Sequence, residues 1–257
     1  NMAGIAAGLA ACGEIPFISS YAVFSPGRNW DQIRVSICYS NLNVKIIGAH
    51  SGVSVGPDGA THQALEDIAI MRVLPNMQVI VPCDAIETRK ATLAIAKHMG
   101  PSYIRFAREK TPIITSEESR FEIGRAEILA EYGCDAAIVA CGPLVYQSLV
   151  AAKELAEENI KVTVVNNHTV KPLDAKTLIA VAQKCGAVVI VEEHQTMGGM
   201  GSAVSEVLST QCPVLMAFIG MPNTFGQSGE PNELLEKYGM TVAKIKEAVK
   251  KVIANKS

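Results

Sequence analysis

Aromatic side chains are scarce in this sequence: Phe, Trp and Tyr make up 5% of its 257 residues, with a single Trp. A flat wall for a planar ligand can be built at few places, so any cluster of rings stands out. An excess of charge is missing too. Lys plus Arg number 23 against 25 Asp plus Glu, a net charge of −2, which excludes the basic footprint of a polyanion-binding surface and with it a nucleic-acid partner. Cysteine pairs at metal or redox spacing are absent. Cys12, Cys38, Cys83, Cys134, Cys141, Cys185 and Cys212 form no CxxC, and most fall inside apolar runs as small core residues. That usage points to a reducing cytoplasm. No basic segment followed by an apolar one opens the chain, and no apolar run reaches the ~18–20 residues of a membrane span. The expectation is a soluble, cytoplasmic protein.

What is present is apolar material in alternation. The chain is 49% hydrophobic and 19% charged, ample for two cores of ordinary size. Strand-like runs alternate with helical patterns from end to end, which predicts an α/β fold of two domains, each a mostly parallel sheet flanked by helices. After an Ala/Gly-rich opening helix come IPFISSYAVF as strand, WDQIRVSICYSNL as helix, VKIIGAH as strand, THQALEDIAIMRVLP as helix and MQVIVPC as strand. DAIETRKATLAIAKHMG is a helix, and SYIRFA closes the first sheet. The polar, Pro-containing stretch 109–121 reads as a linker. Two strands around Tyr132-Gly133 open the second half, followed by helices and strands as far as VLMAFIG and a one-faced C-terminal helix.

In open α/β sheets ligands bind beyond the carboxyl ends of the strands. Three loops of the first half qualify. SSYAVFSPGRNWDQIR carries Tyr21 and Phe24 into a Pro26-Gly27 turn; by itself, core packing of Phe24 and Trp30 under the next helix is the better reading. GAHSGVSVGPDGATHQALED sets His50, Asp58 and His62 among glycines, with Thr61 placed to cap a helix starting near His62. A His at a helix N-terminus is held neutral and can exchange a proton near pH 7. A lone His is more often structural, but three polar groups in one glycine-studded loop point to a site. Their spacing does not suit a metal. IRFAREK places Arg108 where a strand exits; its fork suits a phosphate or carboxylate, and an ion pair with a nearby acid is an equal reading. In the second half GGMGS opens a helix after a strand but fails the spacing of a phosphate-binding turn. Close helix packing explains its glycines, and His168 and His194 read as structural.

Taken together, YAVFSPGRNWDQIR, AHSGVSVGPDGATHQALEDIAIMRVLPNMQVIVPCDAIET and IRFAREK resemble the pyrimidine-binding domain of a transketolase. ACGPLV, VKPLD and GGMGSAVSEVL are similar to the transketolase C-terminal domain. The likeness runs along the whole chain: 1–108 as pyrimidine-binding domain without its first strand–helix unit, 109–121 as linker, 122–257 as C-terminal domain. It implies the C-terminal subunit of a split, two-polypeptide transketolase. Such an enzyme transfers a two-carbon ketol unit between sugar phosphates, as in the pentose phosphate pathway, with thiamine diphosphate and Mg²⁺ or Ca²⁺ held by the N-terminal partner subunit. A dimer of the pair is implied. By motif, Phe24 stacks on the aminopyrimidine and Tyr21 helps form its pocket. His62 and His50 act at the reacting groups, His50 also contacting substrate hydroxyls. Asp58 reads the C2 hydroxyl, and Arg108 binds the substrate phosphate. Many members carry a further aromatic after Phe24; Pro26-Gly27-Arg28 stands there instead, with Arg28 lining the pocket. Deoxyxylulose-phosphate synthase, which tends to show paired histidines after the Thr61 position, and the 2-oxo-acid dehydrogenase β subunit rank below.

The resemblance also implies a glutamate that activates the cofactor, two residues before Asn1. Glu14, roughly 18–20 Å along the opening helix, cannot replace it. The 257-residue chain is accordingly expected to be inactive alone and to transfer little ketol even with its partner. A catalytically silent interaction subunit is the alternative of a different class.

Overall fold

The computed structural model describes residues 1–256. Helix α1 (Met2–Ala11) precedes β1 (Phe17–Tyr21), and turns lead to α2 (Trp30–Gln32), which widens into a π-helix over Ile33–Tyr39. Then follow β2 (Lys45–Ala49), a 3₁₀ segment (Val53–Asp58), α3 (Asp67–Arg72), β3 (Gln78–Ile80), α4 (Ala85–Lys97) and β4 (Ser102–Arg105). The second half runs β5 (Glu127–Glu131), β6 (Ala136–Ala140), α5 (Leu144–Glu157), β7 (Val162–Asn166), β8 (Thr169–Lys171) and α6 (Ala175–Cys185). It ends with β9 (Ala187–Gln195), α7 (Met200–Gln211), β10 (Leu215–Met221), α8 (Pro231–Lys237) and α9 (Val242–Ala254).

Two five-stranded sheets result, ordered β1-β2-β4-β3-β8 and β10-β9-β6-β7-β5. Each is parallel except for one antiparallel edge, β8 on β3 and β5 on β7. The parallel strands read as continuous apolar runs because helices cover both faces. SYIRFA does not close the first sheet: β4 lies inside it, and the edge beside β3 is taken by β8, from the second half. Val81 N–H donates to His168 O across that join at 2.7 Å. One apolar core consequently runs through both halves, from Ala3 and Ile37 to Val170, Ile190 and Met200.

A second departure concerns THQALED. The helix expected near His62 begins only at Asp67. Its would-be first carbonyls are already engaged, Ala64 O accepting from Gly52 N–H and Leu65 O from Gln195 N–H, both at 2.9 Å. Those bonds draw this stretch into register with neighbouring segments, and the helical turns begin only beyond it. Thr61 therefore caps nothing, and the helix-terminus argument for a neutral His62 falls away.

Segment 109–121 holds no helix or strand, yet it is strapped to α4. The Asp84 carboxylate caps that helix through Glu87 N–H and also accepts from Ile114 N–H, Thr115 N–H and Thr115 Oγ1. Lys90 Nζ donates to Ser116 O and Ser119 O.

Candidate active site

The ring cluster follows from strand geometry. β1 and β2 are parallel neighbours with Tyr21 opposite Ala49, so His50 leaves β2 beside the Tyr21 ring. The two rings stack with centroids 4.3 Å apart and planes 8° off parallel. Beyond β1 the chain turns back, Phe24 and Ser25 N–H both bonding Tyr21 O, and Phe24 comes to lie 6.1 Å from Tyr21 at 13°. One helical turn later the Arg28 guanidinium sits 4.5 Å over the Phe24 ring. His62 meets this row edge-on, 5.7 Å from Tyr21 and 5.2 Å from Phe24, at 79° to each.

Tyr21, Phe24 and His50 thus form one shelf of near-parallel rings, with Arg28 over Phe24 and the His62 imidazole standing against it. Tyr21, Phe24, His50 and His62 are half-buried, and Arg28 is exposed.

Two features mark this shelf as unfinished. His50 has a left-handed backbone, φ 53°, a conformation a non-glycine residue rarely adopts without constraint. Its Nδ1 is buried with no hydrogen-bond partner, a condition that costs about 1–3 kcal/mol unless a ligand relieves it. His62 has only the local contact of its Nδ1 with Thr61 Oγ1, 2.9 Å away.

Asp58 and Arg108 form a second group. Arg108 Nη1 donates to Asp58 Oδ1 at 3.0 Å and to Val55 O at 2.8 Å. Both side chains are partly exposed, and the ion-pair reading of Arg108 is realised with Asp58. They contact each other rather than the rings, although Asp58 shares its loop with His62.

The histidines and glycines of the second half serve the fold. His194 donates from Nδ1 to Gln195 O at 2.8 Å and accepts at Nε2 from Ala69 N–H at 3.3 Å, so the neutral ring is fully satisfied and bridges to α3. His168 is buried against Phe121, and burial pushes its pKa down to about 4. The amides of GGMGS are spent internally: Met200 and Gly201 N–H donate to the Glu192 carboxylate at 2.7 and 2.8 Å. A methyl group on Gly199 would overlap that carboxylate.

Several supporting residues escaped the sequence reading. Arg105 and Asp67 form a buried ion pair at 2.8 Å, joined by Tyr103 Oη at 2.7 Å, while Arg105 Nη2 reaches Glu193 O at 2.8 Å. Burial works against the guanidinium charge, but Asp67, Tyr103 and Glu193 together outweigh it and hold Arg105 charged. Glu193 accepts from Ser54 N–H at 2.6 Å, and burial pushes its carboxyl up. The signals were charged residues inside apolar strands, SYIRFA and AVVIVEEH. Gln63, buried beside His62, gave none. A cavity of ≈ 410 Å³ beside Ser54 and Glu193 is lined by residues other than the shelf. Among the described residues no cluster of three His, Cys, Asp or Glu could hold a metal, and no helix is long and apolar enough to cross a membrane.

Residues 1–113 match the family described as transketolase, pyrimidine binding domain, and residues 124–245 match transketolase, C-terminal domain. The chain is 42% identical over 257 residues to the 6-deoxy-6-sulfo-D-fructose transketolase subunit SqwH of Clostridium sp. (strain MSTE9), covering all of this chain and 80% of that one. It is 44% identical over 243 residues to a putative transketolase C-terminal section of Methanocaldococcus jannaschii, covering 93% and 76%. Among solved structures, one described as a split gene transketolase, inactive beta4 tetramer, superimposes with a TM-score of 0.94 at 47% identity, covering 100% of this chain and 82% of that one.

Proposed function

The chain belongs to the transketolase family, and from that premise we propose that it supplies the aminopyrimidine and substrate-hydroxyl side of a ketol-transfer site completed by a separate N-terminal subunit. The observation that carries this reading is the shelf of Tyr21, Phe24 and His50 with His62 against it, at the carboxyl ends of two adjacent parallel strands. Relatives that are themselves subunits or C-terminal sections support the split arrangement.

The shelf fits one end of thiamine diphosphate. Near-parallel aromatic faces accept a flat ring, and the unpartnered Nδ1 of His50 meets a polar edge. When bound, that cofactor supplies the nucleophilic carbon and electron sink for moving a two-carbon unit, chemistry no side chain here can supply. The chain's own residues do the remainder. Phe24 and Tyr21 hold and orient the ring, Arg28 covering one face of Phe24. His62 takes and returns the proton of a substrate hydroxyl, work suited to an imidazole in a closing cleft. His50 hydrogen-bonds a neighbouring hydroxyl, and Asp58 reads the configuration at C2. The diphosphate and its Mg²⁺ or Ca²⁺ belong on the partner subunit.

Arg108 binds the substrate's terminal anion. Its planar fork accepts a phosphate or a sulfonate alike, and the relative named for a sulfonated sugar makes both worth assaying. The test is ketol transfer by the full-length gene product containing these residues, mixed with the N-terminal subunit, thiamine diphosphate and Mg²⁺. Xylulose 5-phosphate and 6-deoxy-6-sulfofructose serve as alternative donors. Turnover that needs both proteins supports the reading, and turnover by this subunit alone contradicts it.

A further inference from the structure

The turn that carries His62 rests on the second domain. Gln63 is buried, and its side-chain amide donates to Val53 O at 3.0 Å and to Gln227 O at 2.9 Å, with Gly56 O at 3.4 Å. Three surrounding carbonyls fix which end of the amide is nitrogen. Its Oε1, buried without a partner, lies against Gly226, where any added methyl would overlap it. Gly59, whose carbonyl accepts His62 N–H at 2.9 Å, holds φ 77°. A methyl there would stand 2.6 Å from Ser228 Oγ. Pro231, at the start of α8, sits against Gly56. The seam is closed on both sides and has no room for a larger residue at Gly226.

We propose that segment 226–231 of the second domain is the seat that fixes His62 beside Tyr21 and Phe24, with Gln63 as the positioning residue that joins them. This rests on the reading of the chain as half of a ketol-transfer site. It gives the second domain a role in the reaction: to hold a histidine of the first. Gln63 touches no reacting group. It ties the residue that follows His62 to carbonyls of the 53–56 segment and of Gln227, so a shift in 226–231 moves the imidazole relative to the rings.

Two variants separate positioning from bulk stability. Gln63→Met removes the amide's hydrogen bonds to Val53, Gly56 and Gln227 while conserving volume; Gly226→Ala keeps Gln63 and pushes its amide aside. Each is prepared in the complete subunit and read in two ways. In the subunit alone, side-chain ¹³C NMR of the five histidines is expected to show His62 moved and His168 unmoved. In the complex with the N-terminal subunit, kcat is expected to fall about 10-fold to 100-fold, as small misplacements of a reacting group do. KM for the ketose is expected to change by less than about twofold. Glu233→Ala, an exposed position on α8 outside the seam contacts, should change neither. A folded variant with an unmoved His62 resonance and wild-type kcat overturns the proposal. So does kcat lost only in proportion to a loss of folded protein, with all five resonances moving together. Because the NMR arm needs no cofactor or partner, absence of activity in the unaltered complex would count against the ketol-transfer reading and leave the seat to be judged by the resonance.

Discussion

The two halves of this chain share one architecture, yet the histidines of the first are half-buried and those of the second fully buried. His194 has a partner for each ring nitrogen, and His168 is sealed under Phe121. His50 keeps a buried nitrogen without a partner on a left-handed backbone, and His62 stands edge-on to two rings with only a local contact. Residue type is the same; what differs is burial, complete at His168 and His194 and partial at His50 and His62. Where a fold leaves a polar atom unsatisfied next to a flat apolar wall, it has left room for a ligand.

The largest effects should fall on opposite sides of that contrast. Removing His62 or His50 as alanine is expected to cut kcat/KM for ketol transfer by about 10²-fold to 10⁴-fold with little change in unfolding midpoint. His194→Ala should instead cost about 2–4 kcal/mol of stability, from a cavity and an orphaned Ala69 N–H. Denaturant unfolding beside steady-state kinetics checks both, and a stability loss for His62→Ala equal to that of His194→Ala would erase the distinction. Breaking the seam between the halves is next. Arg105→Met leaves Asp67 buried and unpaired and should cost about 3–5 kcal/mol, read as a lowered urea midpoint.

A pH titration of stability sharpens the comparison further. Burial pushes Glu87 up to about 7 from its ordinary 4.5, so the folded chain favours the protonated carboxyl and stability falls as pH rises from 4.5 towards 7. His168, pushed down to about 4 from 6.5 by burial, is favoured neutral. Its contribution is present above 6.5 and is lost as pH falls towards 4. Each is worth on the order of 3 kcal/mol, and the opposed slopes offset one another between 4.5 and 6.5. Glu87→Gln should unmask a rise in stability with pH across that window, and His168→Leu a fall. A flat profile in both variants would refute the assignment. The smallest effect belongs to Arg28: losing its cation–π contact should weaken cofactor binding by about 0.5–1 kcal/mol, measured by isothermal titration in the complex.

Much of the fold was legible because apolar runs and helical periodicities alternate in order. What escaped reading depended on groups distant in sequence. The short β8 is a strand because β3 offers an open edge, and α3 starts late because Ala64 and Leu65 carbonyls are bonded from elsewhere. Of the proposed site residues, His50 and His62 stood out through their glycine-studded loop, whereas Tyr21 and Phe24 were singled out by the scarcity of aromatics but given a role only by the resemblance. Gln63 was not visible, since its importance lies in carbonyls ten residues before it and far along the chain at Gln227.

The most direct test of the half-site account is a titration of the complete subunit with increasing N-terminal partner at saturating thiamine diphosphate and Mg²⁺, following ketol transfer. The account predicts no turnover from either protein alone and activity that rises and saturates with the partner. Turnover by this subunit alone, or none at any partner concentration, would contradict it.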